Sequence, residues 1–136
     1  MTIPPIFKFK NVKTRLTTTD PTFIYGVVAG NGDSSLDTGI SPNDVTAVVL
    51  TVQISHYNTS NVAVTSWVSN SATSASLSSD ARVLVYNYPI IAYNAFDPLS
   101  GNLVLAANDQ LWVQASIANY CDVIVSVLEI ANATAS

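Results

Sequence analysis

Apolar residues recur at every second position through most of this chain, and this period of two constrains its fold more than any other feature. In the segment 111–117, apolar side chains alternate with Trp112, Gln114 and Ser116. The same alternation in the segment 45–57 predicts one apolar face, made of Val48, Leu50, Val52 and Ile54. Side chains of a strand point alternately to opposite faces, whereas an amphipathic helix needs a period near 3.6. The pattern therefore predicts an all-β chain.

Short clusters of Gly, Pro, Asn, Asp and Ser separate the alternating stretches and mark the turns between them. The predicted strands are 7–17, 22–28, 45–57, 62–68, 82–88, 103–105, 111–117 and 122–130. About eight short strands with this spacing are typical of a single antiparallel β-sandwich, and jelly-roll connections are one way to join them. Because residues 122–130 are apolar on both faces, we expect one side to be covered by the other sheet and the other by a loop or a neighbouring subunit.

The 136 residues suit one domain, which we place at 11–130. The preceding segment 1–10 contains the pair Pro4-Pro5, which favours an extended arm that either drapes over a neighbour or frays. The segment 131–136 is expected to be a disordered tail.

Only 10% of the residues are charged, so the surface must be made largely of Ser, Thr and Asn. Such a neutral surface repels neighbours weakly and suits a protein packed against others. Lys8, Lys10, Lys13 and Arg15 form a small basic stretch, but the net charge of −4 argues against nucleic-acid binding. No apolar run reaches the roughly 18–20 residues of a membrane span, and no signal peptide is recognisable, so we expect cytoplasmic synthesis.

The residues able to do chemistry do not form a familiar catalytic or metal-binding pattern. Asp37-Thr38-Gly39 matches the triplet of aspartic proteases, but a loop composition precedes it and the supporting strand motif is missing. Asn31, Asp33 and Asp37 could offer oxygens to calcium, without the spacing of a calcium-binding loop. We expect no catalytic residue, no metal and no cofactor.

Three polar or sulfur-containing residues have simpler interpretations. Asp109 is expected to accept a backbone N–H in the turn at 106–109. Cys121 lies in an apolar run and is expected to be a buried small hydrophobe. His56, at the end of a predicted strand, is expected at the surface or at an interface, where its titration would loosen assembly in acid.

The large aromatic residues of the middle and late strands are the leading interface candidates, because Trp and Tyr are enriched where proteins meet. Together with the N-terminal arm, the candidates are Trp112, Trp67, Tyr86, Tyr88, Tyr93, Phe96, Pro4, Pro5, Ile6 and Phe7. Trp112 alternates with core residues and should face outwards, either as a subunit contact or as a platform for a sugar ring.

Four stretches of the sequence share a pattern with known proteins: "LTTTD" at 16–20 followed by Ile24 and Tyr25, "TAVVLTVQIS" at 46–55, the segment 103–116 and "DVIVSVLEI" at 122–130. They resemble a family of small all-β virion proteins of tailed bacteriophages, many from marine phages and cyanophages. The longer loop at 29–44 and the middle segment depart from the family pattern. The resemblance implies a β-sandwich in the virion, as a capsid decoration (cement) protein or as a neck, tail or fibre component.

Together these observations predict a non-enzymatic protein of the capsid surface, assembled in the host cytoplasm. Its expected partners are copies of itself, as a homotrimer, and the major capsid protein or another virion protein. The alternative from a different class is a carbohydrate-binding module on the virion surface.

Overall fold

The computed structural model describes residues 6–30, 35–37, 39–70 and 81–131, which form nine strands and one short 3-10 helix. The strands are β1 (Ile6–Arg15), β2 (Thr22–Gly26), β3 (Val45–His56), β4 (Val62–Ser69), β5 (Arg82–Ile90), β6 (Ala95–Phe96), β7 (Leu103–Leu105), β8 (Gln110–Ala115) and β9 (Cys121–Ala131). The 3-10 helix, Pro42–Asp44, begins after Ser41, whose side chain accepts from the backbone N–H of Asn43. All eight predicted strands are present, so the predicted all-β sandwich is confirmed.

The strands form two antiparallel sheets. Sheet 1 has the order β1-β9-β3, and β6 and β7 both pair with the far side of β3. Sheet 2 has the order β2-β8-β4-β5. Because most successive strands lie in opposite sheets and β6 and β7 share one position, this is the strand order of a jelly roll. The β-sandwich therefore has the jelly-roll connections considered from the sequence.

The core lies between the sheets and follows the alternation of the strands. In β8, Leu111, Val113 and Ala115 are buried while Trp112 and Gln114 are half-buried on the other side. In β9, the inward set of Val123, Val125 and Val127 is fully buried. Burial of these aliphatic side chains stabilises the fold by about 25 cal/mol per Å² of apolar surface removed from water.

The alternation fails in β3, where the structure corrects the predicted apolar face. The pairing of β3 with β9 shifts between Val49 and Thr51, which inserts Leu50 as an extra residue. A bulge of this kind reverses the facing of every residue on one side of it. Val45, Ala47 and Val49 therefore point to the core with Val52 and Ile54, whereas Val48 points outwards.

Two further differences concern the edges of the predicted domain. Residues 6–10, assigned from the sequence to an arm, are the first half of β1 and pair with β9. The outer side of β9, expected to be covered, is only half-buried in the single chain, and Ile124 is 38% exposed there. Pro4, Pro5 and residues 132–136 lie outside the described residues. Nowhere in the described ranges is there a helix long and apolar enough to cross a membrane.

Candidate interaction surface

The aromatic interface candidates divide by exposure. Tyr86, Tyr88 and Tyr93 are exposed, whereas Trp112 and Phe96 are half-buried. Trp67 has no exposed surface at all. Since a side chain must be accessible to contact a partner, Trp67 does not belong to an exposed surface of the chain. Ile6 and Phe7 are 60% and 61% exposed, as an interface role for them requires.

A row of three aromatic rings crosses the outer face of sheet 2. Phe23, Trp112 and Trp67 lie on neighbouring strands, with Phe23 opposite Trp112 and Trp112 opposite Trp67. The Phe23 ring meets Trp112 edge-on at 5.7 Å between centroids, and the Trp67 ring lies parallel to it at 6.5 Å. Trp112 therefore faces away from the core, as expected, but its ring is engaged by both neighbours. This packing within the chain does not favour the open platform that a stacking sugar needs.

The exposed tyrosines of β5 do not form one regular stripe. The pairing of β5 with β4 shifts between Val64 and Ser66, so Tyr86 and Asn87 together lie opposite Thr65. Asn87 has a φ of 48°, and its backbone N–H donates to the Thr65 hydroxyl at 3.0 Å. Strict alternation would place Tyr86 and Tyr88 on one face of β5, and this bulge interrupts the alternation between them. Tyr88 instead stacks on Phe96 of sheet 1, with ring centroids 4.4 Å apart.

The register defines a continuous apolar surface on the outer face of sheet 1. Phe9 lies opposite Leu128, Leu128 opposite Val48, and Val48 opposite Val104, so one row of apolar side chains crosses four strands. Phe7 and Ile130 form a second pair in the adjacent row. We call the set Phe7, Phe9, Val48, Val104, Leu128 and Ile130 the apolar patch. With adjacent strands about 4.8 Å apart, its longer row spans roughly 15 Å.

The apolar patch is exposed to an unusual degree. Phe9 is 75% exposed, Phe7 61% and Val104 60%, and the other three members are half-buried. Single exposed apolar residues are normal on a protein surface, but contiguous apolar patches mark sites of interaction. Sequence reasoning missed most of this patch because it selected residues by aromatic type. The signal that was available is the period of two in "IFKFK", which places Phe7 and Phe9 on one face.

The same outer face becomes polar at its other end. The Ser126 hydroxyl donates to Asn11 at 3.0 Å, and Arg15 pairs with Asp122 at 2.9 Å. The Arg15 guanidinium also lies 4.7 Å from the centre of the Tyr57 ring. Its bond to Asp122 raises the pKa of Arg15. The outer face of sheet 1 therefore has an apolar half and a hydrogen-bonded, charged half, which gives any contact on it a defined orientation.

The opposite side of β1 is fastened to the loop that follows β2. Lys8 forms an ion pair with Asp37, and Lys10 donates to the backbone carbonyl of Ser35. The bond from Lys8 lowers the pKa of the Asp37 carboxyl and raises the pKa of Lys8. Asp37 also takes part in a turn, where its backbone carbonyl accepts from the N–H of Ile40 at 3.2 Å. These contacts fix β1 to the rest of the chain without covering its apolar residues.

One buried polar contact joins the two sheets beneath the apolar patch. The Tyr25 hydroxyl of sheet 2 donates to the Glu129 carboxylate of sheet 1, and Glu129 is only 5% exposed. Burial and, next, this hydrogen bond raise the pKa of Tyr25 far above its usual range. Because a buried carboxylate requires a donor, the pair holds β2 and β9 in one relative position.

The remaining chemical candidates have structural roles. His56 is buried, not at the surface as expected: its ring nitrogens contact the carbonyls of Tyr120 and Ser60, and its ring stacks on Tyr120. Asp109 accepts the N–H of Ala106 at 2.9 Å, as predicted for the turn. Cys121 is fully buried, as predicted, and burial raises its pKa to about 11.

The described part of the chain offers few residues that could together bind a metal ion. There, no three residues of the types His, Cys, Asp and Glu lie close enough together to hold a metal ion. Of the calcium candidates, Asn31 and Asp33 lie outside the described residues. The middle residue of the Asp-Thr-Gly triplet, Thr38, does as well.

Comparison with known proteins gives no family for the chain, and it gives two remote structural likenesses. No family model matches it, and no curated protein matches it. It is similar over 95% of its length to the VP2 subviral particle protein of infectious bursal disease virus, at 9% identity and a TM-score of 0.38. It is also similar to the Eiger TNF of S. frugiperda, at 12% identity and a TM-score of 0.28 over 94% of each chain. The chain spans about a third of the length of the VP2 chain (33%), and both likenesses are too remote to bear on function.

Proposed function

We propose that this protein is a non-enzymatic structural component of a virus particle, built to bind neighbouring subunits through the apolar patch. The observation that carries the proposal is the row Phe9, Leu128, Val48 and Val104, which leaves a continuous apolar surface open to water. A shell subunit gains from such a surface because each contact is repeated over many copies. Even a modest buried area then contributes to the cohesion of the particle.

We infer the kind of particle, and the position of the chain in it, from the sequence resemblance to small virion proteins of tailed phages. We propose the capsid surface, where the chain acts as a decoration protein, associates with other copies and binds the major capsid protein. A homotrimer is the form of self-association expected from the resemblance. A place in the neck, tail or fibre is the nearest alternative and differs in copy number.

The polar half of the outer face of sheet 1 favours a contact of defined orientation over non-specific apolar adhesion. Arg15 with Asp122 and Asn11 with Ser126 are paired within the chain, so a partner that covers these four residues leaves them bonded to each other. The apolar half then supplies the binding energy and the polar half sets the orientation, which is the division seen between the core and rim of protein interfaces.

The test compares two exposed valines in purified particles of the virus that encodes the chain. Val104→Asp places a charge in the apolar patch, and Val83→Asp places the same charge on a strand of sheet 2. We expect Val104→Asp to lower incorporation into particles at least tenfold, and Val83→Asp to leave it within twofold. Quantitative mass spectrometry measures the ratio of this chain to the major capsid protein.

Two outcomes would contradict the proposal. The wild-type chain would be absent from purified particles, or both aspartate variants would be incorporated as well as the wild type. A copy number close to that of the major capsid protein supports decoration of the head, whereas a copy number equal to a single ring supports the neck or tail.

A further inference from the structure

Strand β1 ends sheet 1 with a long free edge in the part of the chain described. It runs for 10 residues and pairs with β9 in a register without a shift. The N–H of Leu16 donates to the carbonyl of Cys121 at 3.0 Å, just beyond the last pair, Arg15 with Asp122. Backbone groups alternate in direction along an antiparallel strand. The even-numbered residues of β1 therefore bond to β9, and the odd-numbered residues direct their N–H and C=O groups to the free edge.

The edge at the other end of the sandwich is built differently. Strand β5 has two register shifts against β4, a positive φ at Asn87, and a proline at position 89. Bulges and prolines are devices that keep an edge strand from pairing with another strand. Between Ile6 and Arg15 there is no proline and no bulge. In contrast to β5, β1 keeps the regular geometry that an added strand requires.

Strand β1 also contributes little to the core of its own chain. Val12 is its only buried residue, and Ile6, Phe7 and Phe9 are each at least 60% exposed. Ordering a strand costs conformational entropy, and the small area that β1 buries in the core of its own chain offsets little of that cost. A second strand beside β1 would form hydrogen bonds with its free backbone groups and would cover its exposed apolar residues.

We propose that β1 pairs with β1 of a second copy, antiparallel, about a two-fold axis at Asn11. This specifies the proposed self-association as a two-fold dimer instead of the trimer expected from the resemblance, and it rests on the proposed function. The odd-numbered residues of the two copies exchange backbone hydrogen bonds, and the two five-stranded sheets become one continuous sheet. A contact of this kind is self-complementary, as a two-fold interface must be, and adding a strand to an open edge is a common mode of protein recognition.

The charges on β1 select the register. A pairing centred on Lys10 places Lys10 opposite itself, and one centred on Phe9 places Lys8 opposite the partner's Lys10. Like charges directly opposite each other are destabilising. A pairing centred on Asn11 avoids both and still pairs every residue from Phe7 to Arg15, whereas one centred on Val12 is shorter.

The register centred on Asn11 also places a long cation opposite each exposed phenylalanine. Phe9 lies opposite the partner's Lys13, and Phe7 lies opposite the partner's Arg15. The aliphatic stems of Lys and Arg cover apolar surface while their charged ends stay in water. Lys8 and Lys10 are on the other face of β1, where Asp37 and the Ser35 carbonyl already hold them within their own chain.

Cysteine cross-linking of the full purified chain tests the register directly. Cα atoms of an antiparallel hydrogen-bonded pair lie about 5.5 Å apart, which is within the range that a disulfide spans. Under mild oxidation we expect Asn11→Cys to form a cross-linked dimer at least tenfold faster than Lys13→Cys, and a mixture of Phe9→Cys and Lys13→Cys chains to form the mixed dimer. The matched control is Asn61→Cys, at another exposed asparagine, which should not form a disulfide-linked dimer; neither should the wild type, because Cys121 is buried.

A second variant keeps the proposal testable without cysteines. Asn11→Pro removes a backbone N–H that faces the free edge and leaves the ladder with β9 intact. We expect light scattering to give twice the chain mass of 14.4 kDa for the wild type and the chain mass itself for Asn11→Pro, with unchanged circular dichroism. Three times the chain mass for both proteins would overturn the two-fold pairing in favour of the expected trimer.

Two further outcomes would also overturn the proposal. One is equal cross-linking of Asn11→Cys and Asn61→Cys, and the other is preferential cross-linking between Asn11→Cys and Lys13→Cys chains, which the shorter register centred on Val12 requires. None of these measurements uses virus particles. A chain that cross-links at Asn11 but is absent from particles therefore refutes the proposed function alone, and the reverse result refutes the edge pairing alone.

Discussion

The outer faces of the two sheets differ in what the chain itself does with their large side chains. On sheet 2, the aromatic row of Phe23, Trp112 and Trp67 packs ring against ring, and Trp67 has no exposed surface. On sheet 1, Phe7 and Phe9 are also aromatic and also face outwards, but more than half of each is exposed. Both outer faces carry aromatic residues, but those of the row on sheet 2 are buried or half-buried, and Phe7 and Phe9 on sheet 1 are exposed.

This difference shows that burial, rather than aromatic character, separates a structural residue from a candidate interface residue. The two tryptophans are the most interface-like residues by composition. Their place in a packed row makes them contributors to the stability of sheet 2. The apolar patch on sheet 1 adds little to stability within one chain, and its exposed area is available to a partner.

The substitution Trp67→Ala should have the largest effect on stability. Trp67 is fully buried, so removing its ring costs about 3–5 kcal/mol of unfolding free energy. Urea denaturation of the purified chain measures this cost. Tyr93→Ala serves as the control, because Tyr93 is 68% exposed and its loss should be within about 0.5 kcal/mol. A loss for Trp67→Ala no greater than that of the control would erase the contrast between the two faces.

Tyr25→Phe should have the next largest effect, because it removes the polar contact between the sheets behind the apolar patch. Without the Tyr25 hydroxyl, the buried Glu129 carboxylate loses a hydrogen-bond donor. Losing a hydrogen bond to a charged group costs about 1.5–3 kcal/mol. Urea denaturation at pH 7 again gives the value, with Tyr86→Phe as the matched exposed tyrosine. If the two variants prove equally stable, the Tyr25–Glu129 contact does not join the sheets.

Phe9→Thr should leave the unfolding free energy within about 0.5 kcal/mol of the wild type, since surface substitutions away from buried features change it little. Phe9 is 75% exposed, so little of its contact area is within the chain. Threonine is β-branched and, like phenylalanine, suits a strand. Thermal denaturation measured at low protein concentration tests this on the single chain. A fall as large as that of Tyr25→Phe would mean that Phe9 is a structural residue and that sheet 1 does not differ from sheet 2.

The architecture could be predicted from the sequence because its determinants are local. A period of two and turn-forming residues identified every strand except β6, which has two residues and so cannot show a period. The turn at Asp109 was predictable for the same reason, since the acceptor and the Ala106 N–H are three residues apart.

The features that could not be predicted depend on contacts distant in sequence. The bulge at Leu50 arises in the pairing of β3 with β9, and it alone turns Val48 towards the apolar patch. His56 is buried because Tyr120, far along the chain, stacks on its ring. Selecting interface residues by type therefore named Trp67 and missed Val104 and Leu128, because the register and the packing decide which side chains stay exposed.

The smallest effect is expected at the ion pair that fastens β1, between Lys8 and Asp37. Both side chains are 48% exposed, so solvent and salt screen the pair strongly. The pKa of Asp37 is lower in the folded chain than in the unfolded one, mainly through the Lys8 hydrogen bond. Its contribution to stability is therefore present above the unfolded pKa, about 3.9, and is lost as the pH falls through the folded pKa. The pKa of Lys8 is raised, so its contribution is lost only as the pH rises through a folded pKa above about 10.4.

Between those limits the stability difference between the wild type and Asp37→Asn should be constant, and it should close at both ends. Thermal denaturation of the two proteins from acid to alkaline pH at low ionic strength measures it, and added salt should shrink it. Asp20→Asn, at another exposed aspartate, is the matched control for the loss of one carboxylate. A stability difference between the wild type and Asp37→Asn that grows as the pH falls would contradict a stabilising ion pair between Lys8 and Asp37. It would also remove the reason to think that β1 is held to its own chain by charge while its apolar residues remain free for a partner.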